Sequence, residues 1–268
     1  IVAVMDEGVK YDHPDLAANI WTNEKEIPGN GKDDDNNGYV DDIHGVNFIT
    51  NGAITWGKVG DSGHGTHIAG TIAAVNNNGI GVCGIAGGDD KKAGVKIMSC
   101  QVFDAGVSIG DYGSARAFKY AADNGAVILQ CSWGYVSGSA NAFEWTPQYA
   151  TDEQWLSMNM LESLAMDYFI HNAGSPDGVI EGGVAIFAGG NEAAPSAGYP
   201  GAYGDFISVA ATAADYTPSV YTNYGPGCNI SAPGGEINGH SGGERAAILS
   251  TVVSEIDEVD YGYMQGTS

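Results

Sequence analysis

Apolar residues in this chain fall into short, nearly continuous runs instead of alternating with polar ones. Such runs occupy residues 1–5, 95–102, 126–131, 184–188 and 206–211. A strand with one wet face alternates apolar and polar positions, so these runs predict strands covered on both faces. Between them the apolar spacing lengthens to that of helices. Residues 67–75 and 112–124 read as helices, the second stopped by Gly125. A longer helix is expected over 152–172, with Trp155, Met158, Leu161, Leu164, Ala165, Tyr168 and Phe169 on one stripe and Gly174 past its end. Strands alternating with helices predict an α/β fold, a doubly wound and mostly parallel sheet with helices on both faces. Such sheets place functional groups at the carboxyl ends of strands. Asp6 follows the first run, and Asn191 follows the run at 184–188.

Composition narrows the function. The chain has 268 residues with no linker or repeat, which predicts a single domain. It carries 33 acidic against 10 basic residues, a formal net charge of −23. That balance argues against a nucleic-acid partner, because phosphate binding needs clustered Lys and Arg. No apolar run is long enough for a membrane span. Residues 1–5 are too short for a signal-peptide core, and any leader or pro-segment is expected to lie outside these 268 residues. Cys83, Cys100, Cys131 and Cys228 match no zinc or redox spacing. Buried free thiols are expected, with one disulfide as the alternative.

Three segments carry candidate chemistry: Val4-Met5-Asp6-Glu7-Gly8, Gly63-His64-Gly65-Thr66-His67 and Gly266-Thr267-Ser268. A serine hydroxyl is a poor nucleophile until a neighbouring base takes its proton, and an imidazole base needs an acid to hold it. Ser268, His64 and Asp6 supply those three groups. Taken singly, each has a plainer reading as a loop, core or cap residue. A further acidic stretch, residues 33–42, sets oxygen ligands at alternating positions around Gly38. It looks like the first half of a calcium-binding EF-hand loop, but His44 stands where the last ligand should be Glu.

Together these segments resemble the subtilisin-like serine peptidases, in the order Asp, His, Ser. His13-Pro14-Asp15-Leu16, Ser132-Trp133-Gly134, Ala188-Gly189-Gly190-Asn191-Glu192, Tyr199-Pro200-Gly201 and Ala232-Pro233-Gly234 extend the likeness along the whole chain. The resemblance implies a secreted or cell-surface endopeptidase. Asp6, His64 and Ser268 would be its triad, and Asn191 its oxyanion donor. Ser132, Trp133 and Gly134 would form one wall of the specificity pocket, with Ala188, Gly189 and Gly190 as the other. Residues 108–111 would pair with extended substrate. The small walls imply a preference for large apolar side chains. Polypeptide substrates are implied as partners, with a pro-segment or inhibitor as a further one.

Structural calcium is the implied cofactor. One site would use Asp33, Asp35, Asn37, Tyr39 and Asp42. A second would use Asp15 with Val75, Asn77, Ile80 and Val82, Asn78 being the alternative to Asn77. Three departures stand out. Glu7 occupies a position where the family usually has Ser or Thr, so it either adds charge near His64 or points to solvent. Residues 135–155 read either as an insertion beside the pocket that shapes substrate access or as a packed surface loop. The family's Ser segment continues into a buried helix, so the domain is expected to be incomplete at both ends. A catalytically silent binding or scaffolding domain is the rival reading.

Overall fold

The computed structural model describes all residues except 58, 59, 61, 90, 137–144, 239–241 and 254–259. In chain order the strands are β1 (Val2–Asp6), β2 (Gly45–Asn47), β3 (Ile97–Gln101), β4 (Phe103–Asp104), β5 (Val107–Ser108) and β6 (Ile128–Cys131). They continue with β7 (Val184–Ala188), β8 (Ile207–Thr212), β9 (Ile230–Pro233), β10 (Ile248–Thr251) and β11 (Tyr261–Met264). The helices are α1 (His64–Ala73), α2 (Gly110–Asp123), α3 (Asp152–Met158) and α4 (Met160–Asn172). The chain forms two compact units. Unit 1 is Ile1–Leu129, Leu164–Gly183 and Ser250–Gly262, and unit 2 is Gln130–Ser163, Val184–Leu249 and Tyr263–Ser268.

Unit 1 is built on β3, which pairs in parallel with β1 on one side and β2 on the other. Every residue of β1 and β3 is buried, as continuous apolar runs require. Val2, Val4, Ile97 and the α1 residues Ile68, Ala69 and Ala73 share one core cluster. The approach of β2 to β3 needs Gly45, because a Cβ there would lie 1.9 Å from the Ser99 carbonyl oxygen. In unit 2, β8 pairs in parallel with β7 and β9. The core of unit 2 is aromatic. Trp155 is fully buried and packs on Tyr199, Tyr203 and Phe206 at ring separations of 5.9, 5.2 and 5.8 Å.

The expected strands form within two residues of their predicted places. Two helices differ. α1 starts three residues earlier than the apolar spacing implies, on His64 itself. The helix expected over 152–172 is interrupted at Asn159, whose backbone leaves the helical region and whose side chain donates to the Trp155 carbonyl. The predicted stripe therefore divides. Trp155 and Phe169 are buried, while Met158, Leu161, Leu164 and Tyr168 are exposed. The four cysteines are free thiols, Cys100 and Cys131 buried, so the disulfide alternative falls.

Trp155→Ala should remove the centre of the unit 2 core. A loss of about 3–5 kcal/mol is expected from transfer and cavity terms together. Guanidinium unfolding followed by circular dichroism measures it, and a change under about 1 kcal/mol would contradict this packing.

Candidate active site

Asp6 ends β1 and is 2% exposed, so its carboxylate depends on donors within the protein. Its Oδ1 accepts from the Glu7 backbone N–H at 2.7 Å. The His64 Nδ1–H donates to the same carboxylate, 2.8 Å from Oδ1 and 3.0 Å from Oδ2. That contact fixes the ring tautomer and leaves Nε2 free to exchange a proton. The His64 side chain is 29% exposed. Burial depresses its basicity, but the charge and hydrogen bond of Asp6, aided by Glu7, outweigh this and raise its pKa.

His64 is placed by the start of α1. Gly63 precedes it with φ +70°, and no side chain of the helix caps its end. The Glu7 carboxylate does so instead. Its Oε2 accepts from the backbone N–H of His64 at 3.0 Å, from that of Ser62 at 3.2 Å and from Ser62 Oγ at 2.9 Å. Glu7 therefore does not point to solvent. Gly65 lets the first turn rest on β1, since a Cβ there would lie 2.1 Å from the Glu7 carbonyl oxygen.

Unit 2 carries the remaining groups. A cavity of about 180 Å³ is lined by Ser132, Trp133, Gly134, Ala188, Gly190, Asn191 and Ser268. Glu192 and Thr267, which lie inside the motifs, also line it, as do Tyr135 and Gly198, which no motif marked. Gly189 lies behind the wall, its N–H bonded to the Val209 carbonyl. Trp133 meets Phe187 edge-on at 5.5 Å, which holds one wall rigid. Asn191 Oδ1 accepts from the backbone N–H of Thr267 at 2.9 Å and from its hydroxyl at 3.0 Å. With the oxygen engaged, the amide NH2 is the group left to donate. Ser268 Oγ donates to the Ser132 carbonyl at 3.1 Å.

Asn223 is the functional neighbour that motif reading missed. It is fully buried, accepts from the N–H groups of Glu192 and Ala194, and donates to Gly189 O and Glu192 Oε2. It thus fixes the turn that carries Asn191. A lone Asn in a loop carries no local signal of that role. Tyr135 stacks edge-on with Tyr149 and donates to Glu162, but residues 137–144 of the expected insertion lie outside the described residues. Of residues 108–111, Ser108 ends the short antiparallel β4–β5 pair, and Gly110 and Asp111 already open α2.

The acidic loop gathers a carboxylate group. Oxygens of Glu26, Asp35 and Asp42 lie within 4.8 Å of one another. Asn37 donates to Asp42 at 3.0 Å, and Asn23 donates to Asp35 at 3.2 Å. Asp33 is turned to its own loop, accepting from the N–H groups of Asn37 and Gly38. Burial raises the Asp42 carboxyl pKa; bonds from Tyr120 and Asn37 oppose this, and the charges of Asp35 and Glu26 add to it. Three clustered carboxylates are the kind of oxygen donor set that suits a hard divalent cation. Glu26 lies outside the acidic run, so its part was not legible locally. At the second expected site, Asp15 is fully buried and accepts from Asn78 Nδ2 at 2.6 Å and from the Val82 N–H at 2.9 Å. Asn78, not Asn77, faces Asp15.

The sequence model of the Subtilase family matches residues 1–268. The chain belongs to this family of subtilisin-like serine proteases. Subtilisin BL of Lederbergia lenta is 30% identical over 249 residues, covering 93% of this subtilase and 69% of that protein. Subtilisin-like protease 1 of Plasmodium vivax is 44% identical over 104 residues, 38% of this chain. The match spans only 15% of the length of that relative. A solved protease of Pseudoalteromonas arctica has a TM-score of 0.64 at 27% identity, covering 99% of this chain and 72% of its own. A lanthipeptide protease shares the fold at TM-score 0.66 and 20% identity, covering 99% and 67%. The α/β, mostly parallel fold expected of a subtilase is therefore present.

The contact between Gly65 and Glu7 is the tightest steric demand at the start of α1. Gly65→Ala should push the first turn off β1 and destabilise the protein by roughly 3 kcal/mol. Thermal unfolding and the NMR resonances of the His64 ring would report it. An unchanged melting temperature with unmoved ring signals would refute the close approach.

Proposed function

We propose that this chain is the catalytic region of a serine endopeptidase acting on polypeptides, with Asp6, His64 and Ser268 as its triad. The observation that carries the reading is the hydrogen bond from His64 Nδ1 to the buried Asp6 carboxylate, in a chain whose family is that of subtilisin-like serine proteases. His64 takes the proton of Ser268 as the hydroxyl attacks the scissile carbonyl, and later returns it to the leaving amine. Asp6 keeps the ring in one tautomer and stabilises its charged form. The Asn191 amide donates to the oxygen that gains charge, an interaction of the kind worth about 3–4 kcal/mol in barrier height; the magnitude comes from a member of this family. The acyl group on Ser268 is then released to water.

The pocket walls at residues 132–134 and 188–190 take the substrate side chain that precedes the cut bond. Aromatic support from Trp133 and Tyr135 favours a large apolar side chain there. The family match crosses both units, which supports reading residues 1–268 as part of one peptidase domain that is incomplete at both ends. A relative from Xanthomonas campestris is named extracellular protease, which supports a secreted or cell-surface setting. A pro-segment or protein inhibitor is the further partner in this reading. Calcium, held by Glu26, Asp35 and Asp42, would neutralise the clustered carboxylates and tie the acidic loop down. Asp15 with the loop at 75–82 is the second place for it.

Labelling with a fluorophosphonate tests the nucleophile. One adduct on Ser268 is expected, with loss of peptide cleavage by more than about a thousandfold in Ser268→Ala. Absence of both adduct and cleavage in calcium buffer would sink the reading. For the cation, chelation should lower the melting temperature by about 5–10 °C, corresponding to roughly 2.7 kcal/mol of linkage. Asp42→Asn should abolish most of that calcium-dependent shift. An equal shift in the variant would move calcium elsewhere.

A further inference from the structure

We propose that Glu7 is a positioning residue for His64, replacing a helix cap and adding a second negative charge beside the imidazole. The proposal rests on the peptidase reading above. Three donors converge on Glu7 Oε2: the N–H of His64, the N–H of Ser62 and the Ser62 hydroxyl. The first of these belongs to the backbone of the base itself. A carboxylate at a helix start also meets the positive end of the helix dipole. Glu7 is next in sequence to Asp6, which holds the other side of the same residue through its ring. His64 is thus gripped at backbone and imidazole by consecutive residues of one strand end. A Ser or Thr at position 7 would bring neither the reach to the His64 N–H nor the charge.

Among the described residues, the charged groups around this turn are few. β1 and its continuation bring Asp6 and Glu7. Lys10 bonds Thr66 through its backbone N–H, and its ammonium is held by Asp12. His67 lies one turn further along α1 and is buried. β10 contributes the neutral hydroxyls of Ser250 and Thr251, which donate to helix carbonyls. The Glu7 charge therefore acts on His64 in the same direction as Asp6, favouring the protonated ring.

Two variants separate cap from charge. Glu7→Gln keeps one oxygen acceptor and loses the charge; Glu7→Ala loses both. The pH dependence of kcat/KM on a fluorogenic peptide should show the His64 limb moved down by about half to one pH unit in Glu7→Gln, with KM within about twofold of wild type. Glu7→Ala should add a fall in kcat of about tenfold. NMR titration of the His64 ring in the Ser268→Ala protein, with and without Glu7→Gln, should show the same downward shift without relying on turnover. Superimposable ring titrations would overturn the proposal, even if Glu7→Ala lowers the melting temperature, because a merely structural residue gives that result. Wild-type kcat in a folded Glu7→Ala would overturn it as well. If Glu7→Ala does not fold, Glu7→Gln decides. If the wild type neither cleaves nor labels, the peptidase reading fails, and the ring titration still judges Glu7.

Discussion

A buried carboxylate at the end of a fully buried strand is the constraint on which unit 1 depends. Asp6 has lost nearly all contact with water, and an unpaired charge there would cost several kcal/mol. Donors are brought to it within the protein, and the donor with chemical consequences is the His64 ring. That demand dictates where α1 must begin. A helix that starts on His64, against the strand end, cannot tolerate a Cβ at its second residue, which explains Gly65. It also cannot be entered by an ordinary backbone, which explains Gly63 at φ +70°. Gly8 meets a separate demand, since a Cβ there would lie 1.9 Å from the Thr55 carbonyl oxygen. Gly63 and Gly65 are therefore steric consequences of pairing Asp6 with His64.

Unit 2 meets a related problem with a neutral group. The turn after β7 has to present Asn191 with its amide nitrogen outward. Thr267 secures the amide oxygen through its backbone N–H and its hydroxyl, and the same hydroxyl accepts from the Gly190 N–H. Asn223 then satisfies the N–H groups at 192 and 194 and the carbonyl at 189. A buried amide can serve as donor and acceptor at once, so one side chain organises a loop that has no regular partner.

Legibility followed the range of each interaction. Continuous apolar runs named five strands, because burial on both faces is written locally in side-chain type. The Asp6, His64 and Ser268 segments were readable because each sits in its own short motif. The early start of α1 was not, since its cap comes from Glu7, more than fifty residues away along the chain. The break at Asn159 was hidden for the opposite reason: apolar spacing runs straight through it, and only the bond to the Trp155 carbonyl marks the interruption. Short strands such as β2 and β9 carry too few apolar residues to register. Asn223 and Glu26 act through contacts distant in sequence, so nothing beside them announced a role.

The acidic loop shows how the high negative charge can be compatible with order. Most of its carboxylate oxygens are occupied by backbone N–H groups of the same region, as Glu26 is by Asp34, Asp35 and Asp41. Each such bond offsets part of the mutual repulsion. Tyr120 of α2 donates to Asp42 at 2.5 Å, and Tyr39 packs on both Phe48 and Tyr120 while Arg116 covers its ring. The loop is thereby attached to α2 through aromatic contacts that need no ion. What those bonds do not remove is the net negative charge gathered where Glu26, Asp35 and Asp42 converge. A divalent cation bound there would act on that charge alone, so its effect would fall on how tightly the loop is held and not on whether the parallel strands form.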